Sequence, residues 1–157
     1  AWVGDGNNVL HDLMLGCVKL GCGVRVATPR GYEADGRIVD LTKTLASENG
    51  CSVFETNVAA EAVEGSDVVV TDTWVSMGQE EEYQKRVADF DGYEVNKTLM
   101  AHAKPEAVFL HCLPRHPEEV HDEVFYSDQS LVFPEAENRM WTVMAVMVAQ
   151  AGKYEGL

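Results

Sequence analysis

The stretch VFLHCLPRHP (Val108–Pro117) indicates the fold class, because a short apolar run ends there abruptly in polar and reactive side chains. This pattern is typical of a buried parallel strand whose carboxyl end carries the loop at which an open α/β sheet binds ligands. A second run, Asp67–Thr71, is rich in β-branched residues and is followed by another polar loop, Asp72–Gly78. We expect the two loops to face each other across one binding crevice.

Outward from these runs, strand patterns alternate with helix patterns along the whole chain. Further strands are predicted at Trp2–Val3, Val24–Thr28 and Cys51–Thr56, a short extended piece at Leu131–Phe133, and a final helix at Glu135–Gln150. Strand–helix repetition predicts an α/β fold, with an open parallel sheet, right-handed crossovers and helices on both faces. The expected architecture is Rossmann-like, a three-layer sandwich.

Composition limits the classes of partner. The chain has 157 residues, a single-domain length, and a formal net charge of −14, which argues against nucleic acid and anionic membranes. No apolar run is long enough to span a bilayer. The four cysteines form neither a zinc pattern nor a C-x-x-C pair, so a reducing compartment is expected. Ala1–Val3 resembles the tail of a strand, and we expect a domain of a longer protein.

The final predicted helix is apolar on nearly every side from Met140 to Ala149. A helix of this kind is normally buried all round. A domain of this size has little material with which to surround it. We therefore expect one of its faces to pack on a second domain or on a partner subunit.

The glycine-rich turn Gly4–Asn8 has two interpretations. Its G-x-G after a strand and before a helix is similar to a dinucleotide fingerprint, but Leu10 and His11 stand where the third glycine belongs. Alternatively, Asn7 and Asn8 present amides to the crevice. Capping the helix accounts for one of them and leaves the other to bind a carboxylate.

Four side chains near predicted strand or helix ends are candidates for chemistry. Asp72 suits either a substrate ammonium or a turn cap, and Cys112 suits either proton donation and acceptance or inert packing. His111 and Cys112 are expected to point to opposite faces of a strand, which weighs against a nucleophilic Cys–His pair. Arg139 needs an anion, either a glutamate of its own helix or a substrate phosphate.

Three motifs together resemble the ornithine carbamoyltransferase family. They are DTWVSMG (Asp72–Gly78), HCLPR (His111–Arg115) and FPEAENR (Phe133–Arg139), and the resemblance runs in order through nearly all of the chain. It covers the C-terminal, ornithine-binding half of that enzyme, so residues 1–157 are expected to form the ornithine-binding domain. The carbamoyl phosphate-binding domain is absent from the chain.

The resemblance implies carbamoyl transfer from carbamoyl phosphate to the δ-amine of L-ornithine, giving L-citrulline and phosphate. It implies substrate-binding residues in four places: Asn8 and the backbone of Met77 at the α-carboxylate, Asp72 and Ser76 at the α-ammonium, Cys112 and the backbone of Leu113 beside the reacting δ-amine, and Arg139 at carbamoyl phosphate. Cys112, Asp72 and Arg139 would be the catalytic residues.

The resemblance also implies a biological setting. The family needs no cofactor or metal, acts in arginine biosynthesis or the urea cycle, and forms homotrimers in the full-length enzyme. The expected location is the mitochondrial matrix in a eukaryote and the cytoplasm otherwise, and this chain alone should be inactive. Two alternatives stay open: a carbamoyltransferase for a different amine, and a non-catalytic amino-acid-binding module. Asp12 has no functional explanation.

Overall fold

A computed structural model describes residues 1–76 and 78–152 of the chain. In this part the strands are β1 (Trp2–Val3), β2 (Val24–Ala27), β3 (Val53–Thr56), β4 (Val68–Thr71) and β5 (Val108–His111). They form one sheet in the order β3-β2-β1-β4-β5, and every neighbouring pair is parallel. The predicted open parallel α/β sheet is confirmed. Between β1 and β4 the strand order reverses, and ligands of such sheets bind beyond the carboxyl ends of the strands at that point.

Helices cover both faces of the sheet. They are α1 (Asn8–Lys19), α2 (Gly36–Glu48), α3 (Ala59–Val63), a 3₁₀ turn (Glu80–Glu82), α4 (Tyr83–Asp89), α5 (Lys97–Met100), α6 (Asp122–Phe125) and α7 (Val132–Gln150). Neighbouring residues of a strand point to opposite faces. Trp2 therefore packs with α1 and α2, whereas Val3 packs with α3, α5 and α6. The result is the expected three-layer sandwich.

The loop between β1 and α1 is held in a tight position. Asn7 caps α1, its Oδ1 accepting hydrogen bonds from the amides of Val9 and Leu10 at 3.0 and 3.1 Å. Gly6 donates its N–H to the carbonyl of Tyr32 at 2.8 Å. A Cβ atom added at Gly6 would lie only 2.4 Å from a backbone carbon of Glu33, so no other residue fits there without moving the backbone. This close approach fixes where Asn7 begins the helix.

The last helix begins earlier than predicted. It begins at Val132 rather than Glu135, because the amide of Glu135 already bonds to the carbonyl of Leu131 at 2.9 Å, and Pro134 sits in the first turn, where no N–H is needed. The expected extended piece at Leu131–Phe133 is therefore wrong. Its apolar side chains are exposed in the described part of the chain, with Trp141 52% and Met147 66% exposed. The expected packing of one face on a second domain or a partner subunit stays a prediction.

A second apolar surface lies near the amino end of the sheet. A cavity of about 580 Å³ there is lined by residues that include Leu13, Val68, Val70 and Leu110. Together with the exposed apolar side chains of α7, it gives the domain two exposed apolar surfaces. None of the helices in residues 1–76 and 78–152 combines the length and apolar character needed to cross a membrane.

Candidate active site

Asp72 stands at the carboxyl end of β4, beside the switch point of the sheet, and is only 4% exposed. Its Oδ2 accepts a hydrogen bond from Asn7 Nδ2 at 2.9 Å, and its Oδ1 accepts one from the Thr73 amide at 2.7 Å. The Cys112 thiol also donates to Oδ1. The loops after β1, β4 and β5 thus meet at one carboxylate. Such a group has about four acceptor positions, so one is left for a substrate cation.

The Cys112 thiol is held in its neutral form. Burial of the sulfur, and then the hydrogen bond and negative charge of Asp72, raise the pKa of Cys112 to about 12. A thiol with this pKa is protonated throughout the physiological range and is neither a nucleophile nor a base there. It can donate to Asp72 and offer its lone pairs to a neighbouring N–H group.

We expect Cys112 to react slowly with iodoacetamide, since at pH 8 only about 10⁻⁴ of it is thiolate if its pKa is near 12. Replacing Asp72 with asparagine should speed the reaction, because removal of the carboxylate lowers the pKa. The rate should be followed by peptide mass spectrometry from pH 7 to 11, with Cys22, which is exposed as Cys112 is, as internal reference. A Cys112 rate that levels off near pH 9 in the wild-type protein would contradict this expectation.

His111 is almost completely buried, and both of its ring nitrogens have partners. Nδ1 accepts from the Leu113 amide at 3.0 Å, which leaves the proton on Nε2, and Nε2 lies 3.0 Å from a Glu119 oxygen. Neither nitrogen is bonded to Cys112. β5 ends at His111, so the strand alternation on which the expectation of opposite faces rests does not extend to Cys112, and the potential ligand atoms of the two side chains lie within 4.8 Å of each other.

Asp72, His111 and Cys112 each bring one potential metal ligand, and these atoms all lie within 4.8 Å of one another. Carboxylate, imidazole and thiolate together are a donor set that suits Zn²⁺. A metal ion would have to displace the hydrogen bonds of the imidazole and the proton of the thiol. Burial and the Asp72 carboxylate both favour the protonated thiol. The sequence expectation of no metal stays a prediction.

Glu119 joins the two site loops, and no sequence pattern marked it. It is 1% exposed and accepts from the Trp74 amide at 3.2 Å, the His116 amide at 2.7 Å and His116 Nδ1 at 2.9 Å, in addition to His111. Burial by itself would raise the pKa of Glu119, but hydrogen bonds from His111 and His116 outweigh it and lower that pKa. His116 therefore has a structural role that the sequence did not indicate.

Arg86 is a second buried charge at the same loops. Its Nη1 donates to Asp5 Oδ2 at 3.2 Å and to the Trp74 carbonyl at 3.0 Å, and its Nε donates to Glu82 at 3.1 Å. Burial raises the pKa of Asp5 more than Arg86 lowers it. The four-residue spacing of Glu82 and Arg86 is typical of an exposed helical ion pair, but Arg86 is only 7% exposed.

The remaining predicted contacts to ornithine are placed as follows. Asn8 is exposed on the first turn of α1, next to the cap residue Asn7, so its amide is the one left over. Ser76 is half-buried, and its N–H donates to the Gln79 side chain at 3.2 Å. Leu113 has a φ of +52° and directs its N–H to the His111 ring. Met77 lies outside the described residues.

Arg139 is exposed on α7, one turn after Glu135 and on the same side of the helix. Among the described residues, no carboxylate lies within ion-pair distance of its guanidinium, so pairing with a glutamate of its own helix is not found. Glu135 instead accepts from the His111 amide at 3.1 Å. The guanidinium therefore lies at the edge of this domain, where it can bind an anion held by a second domain or a partner subunit.

Comparison with known proteins agrees with this geometry. Residues 1–150 match the family model described as aspartate/ornithine carbamoyltransferase, Asp/Orn binding domain. The chain is 52% identical over 154 residues to the mitochondrial ornithine carbamoyltransferase of Aquarana catesbeiana, covering 98% of this chain and 44% of that protein. It is 53% identical over 154 residues to the mitochondrial ornithine transcarbamylase of Gallus gallus, again covering 98% and 44%. The chain therefore spans less than half the length of these relatives.

Solved structures show the same fold. Ornithine carbamoyltransferase from Pyrococcus furiosus matches with a TM-score of 0.89 at 47% identity, covering 94% of this chain and 47% of that one. The anabolic ornithine carbamoyltransferase from Campylobacter jejuni matches with a TM-score of 0.90 at 31% identity, covering 98% and 51%. The chain belongs to the aspartate/ornithine carbamoyltransferase family and corresponds to its Asp/Orn binding domain.

Proposed function

We propose that this chain supplies the ornithine-binding half of an ornithine carbamoyltransferase, which transfers the carbamoyl group of carbamoyl phosphate to the δ-amine of L-ornithine. The observation that carries the proposal is the buried Asp72 carboxylate, which has three hydrogen-bond donors and room for one more. An α-ammonium fits this position in charge and in number of bonds. Asn8 and Ser76, on the adjoining loops, are proposed to bind the α-carboxylate and the α-ammonium.

The reaction is an attack of a neutral amine on a carbonyl carbon: the new N–C bond forms a tetrahedral intermediate, the C–O bond to phosphate then breaks, and the proton lost by the nitrogen leaves with the phosphate. Because the thiol of Cys112 is neutral and donates to Asp72, it cannot serve as the base at neutral pH. We assign it instead the task of accepting an N–H bond from the δ-amine, which orients the nitrogen lone pair toward the carbonyl carbon. No covalent intermediate on sulfur is needed.

Arg139 and the apolar surfaces support a site shared with a second half. The guanidinium is exposed and is proposed to bind the phosphate of carbamoyl phosphate from this side. The apolar side chains of α7 and the open cavity at the sheet are proposed to pack on the remaining part of the enzyme. This division explains why the chain alone is expected to be inactive and why it covers 44% of its relatives.

The direct test is citrulline formation by the full-length protein, with L-ornithine, L-lysine, L-aspartate and putrescine compared as carbamoyl acceptors. We expect turnover with L-ornithine and weak or no turnover with the others, because an acceptor needs both an ammonium for Asp72 and a free amine at the right distance. Calorimetric titration of this chain alone with ornithine should give weak or undetectable binding. Preference for another amine would assign the protein to a different carbamoyltransferase.

Location and assembly belong to the same proposal. The relatives from Aquarana catesbeiana, Gallus gallus and Schizosaccharomyces pombe are named as mitochondrial proteins. For a eukaryotic source we propose the mitochondrial matrix, and for a bacterial or archaeal source the cytoplasm. A homotrimer of the full-length enzyme is expected, which light scattering of the purified protein would reveal.

A further inference from the structure

We propose that Glu119 is a positioning residue, which sets the placement of Asp72 relative to Cys112 and so the rate of the reaction. The inference rests on the proposed carbamoyl transfer, but its physical basis is independent of the substrate. Glu119 lies seven residues beyond Cys112 and is buried beneath both site loops. It touches neither of the two side chains directly and acts through their neighbours.

Hydrogen bonds connect Glu119 to both site loops. One carboxylate oxygen, Oε1, holds the amide of Trp74, two residues after Asp72. The other oxygen, Oε2, holds the imidazole of His111, the residue before Cys112. Glu119 therefore bonds to the chain on both sides of the crevice. A shift of the carboxylate would move the Asp72 loop and the Cys112 loop relative to each other.

Position 119 needs a carboxylate, because both of its side-chain oxygens accept hydrogen bonds from backbone amides. Each oxygen accepts a backbone N–H, Oε1 from Trp74 and Oε2 from His116, and backbone amides are donors only. A glutamine side chain has one accepting oxygen and one donating nitrogen. In either orientation its NH₂ group would face an N–H of the backbone, and one of those bonds would be lost. The site therefore requires the charged acid and not merely its shape.

Glu119 also helps to select the tautomer of the His111 imidazole. The Leu113 amide donates to Nδ1 and Glu119 accepts from Nε2, so the two contacts together select the neutral Nε2–H tautomer. The same contacts hold Leu113 at a φ of +52°, a left-handed conformation that non-glycine residues rarely adopt. The backbone of Leu113, which is proposed to lie beside the reacting amine, is thus placed by Glu119 through the imidazole.

The test compares two neighbouring substitutions in the full-length enzyme. Glu119→Gln should lower kcat by up to about 100-fold, the loss that a misplacement of about 1 Å in a site can cause, while KM for carbamoyl phosphate stays unchanged. Glu118→Gln removes the same charge one residue earlier, where the carboxylate bonds the Tyr83 hydroxyl at 2.5 Å, and should keep wild-type kinetics. Glu119→Asp keeps two anionic acceptors on a shorter stem and should fall between wild type and Glu119→Gln.

A second readout is independent of catalysis. In ¹⁵N spectra of the wild-type protein, His111 should show an Nε2–H tautomer with a slowly exchanging proton, and in Glu119→Gln that proton should exchange faster. If Glu119→Gln does not fold, the same comparison is made with Glu119→Asp. Wild-type kcat together with an unchanged His111 spectrum would overturn the proposal. Absence of carbamoyl transfer in the wild-type enzyme would count against the proposed function, and the His111 spectra would still decide the role of Glu119.

Discussion

Replacing Asp72 with asparagine lowers kcat/KM for L-ornithine by about three orders of magnitude, the expected result of removing one partner from a buried charge pair. Asparagine keeps the shape of the side chain but removes its charge. It also turns an NH₂ group toward Asn7, Thr73 or Cys112, which all donate to Asp72 in the native site. The loss should be measured from initial rates of citrulline formation in the full-length enzyme.

A matched control is available at the opposite end of β4. Asp67→Asn removes the same charge just before β4, where Asp67 is exposed and pairs with Lys104. It should leave kcat/KM for ornithine near the wild-type value. Normal turnover in Asp72→Asn would remove this carboxylate from the site, and with it the observation on which the choice of substrate depends.

Replacing Arg86 with methionine should lower the free energy of unfolding by about 3–5 kcal/mol, because it leaves the buried Asp5 carboxylate without its cation. The Trp74 carbonyl loses a donor at the same time. Methionine preserves most of the apolar stem of arginine, so packing against the neighbouring Tyr32 ring changes little. Urea unfolding of this 157-residue chain, followed by circular dichroism, measures the difference.

The pH dependence of the free energy of unfolding distinguishes a loss of charge pairing from a loss of packing in Arg86→Met. Asp5 has a raised pKa in the folded protein, so the folded state holds its proton more tightly than the unfolded state does. Its effect on stability is therefore neutral below the unfolded pKa and becomes unfavourable as pH rises, more so once Arg86 is gone. The deficit of Arg86→Met should be smaller near pH 4 than at pH 7. Lys85→Met, which removes a solvent-exposed charge, should have a much smaller effect with little pH dependence.

The sheet and Asp72 were accessible to sequence reasoning because both leave local signals. The run Asp67–Thr71 is apolar and β-branched, and a carboxylate directly after such a strand must lie at the carboxyl edge of the sheet. Glu119 and Arg86 left no such signal. The spacing of Glu82 and Arg86 is the same for an exposed pair as for a buried one, and only tertiary packing buries the arginine.

The final helix left a signal that was incomplete. Its apolar composition indicates that some surface should cover it, but composition cannot say whether that surface belongs to the same chain. Among the described residues Trp141 and Met147 are exposed, so packing on a second domain or a partner subunit stays a prediction. The hydrogen bond of Cys112 with Asp72 could not be predicted from the sequence either, because it depends on β5 ending at His111 and not one residue later.

The backbone of Trp74 lies between a buried anion on its N–H and a buried cation on its C=O. Its conformational entropy is therefore already lost before any substrate arrives. The next segment is bonded within itself, with the Ser76 amide on the side chain of Gln79. Ordering on binding then concerns only the residues beyond Trp74. The ammonium proposed to bind Asp72 therefore meets a carboxylate whose following backbone is already fixed, and the entropic penalty of binding falls on the loop residues after Trp74, among them Ser76.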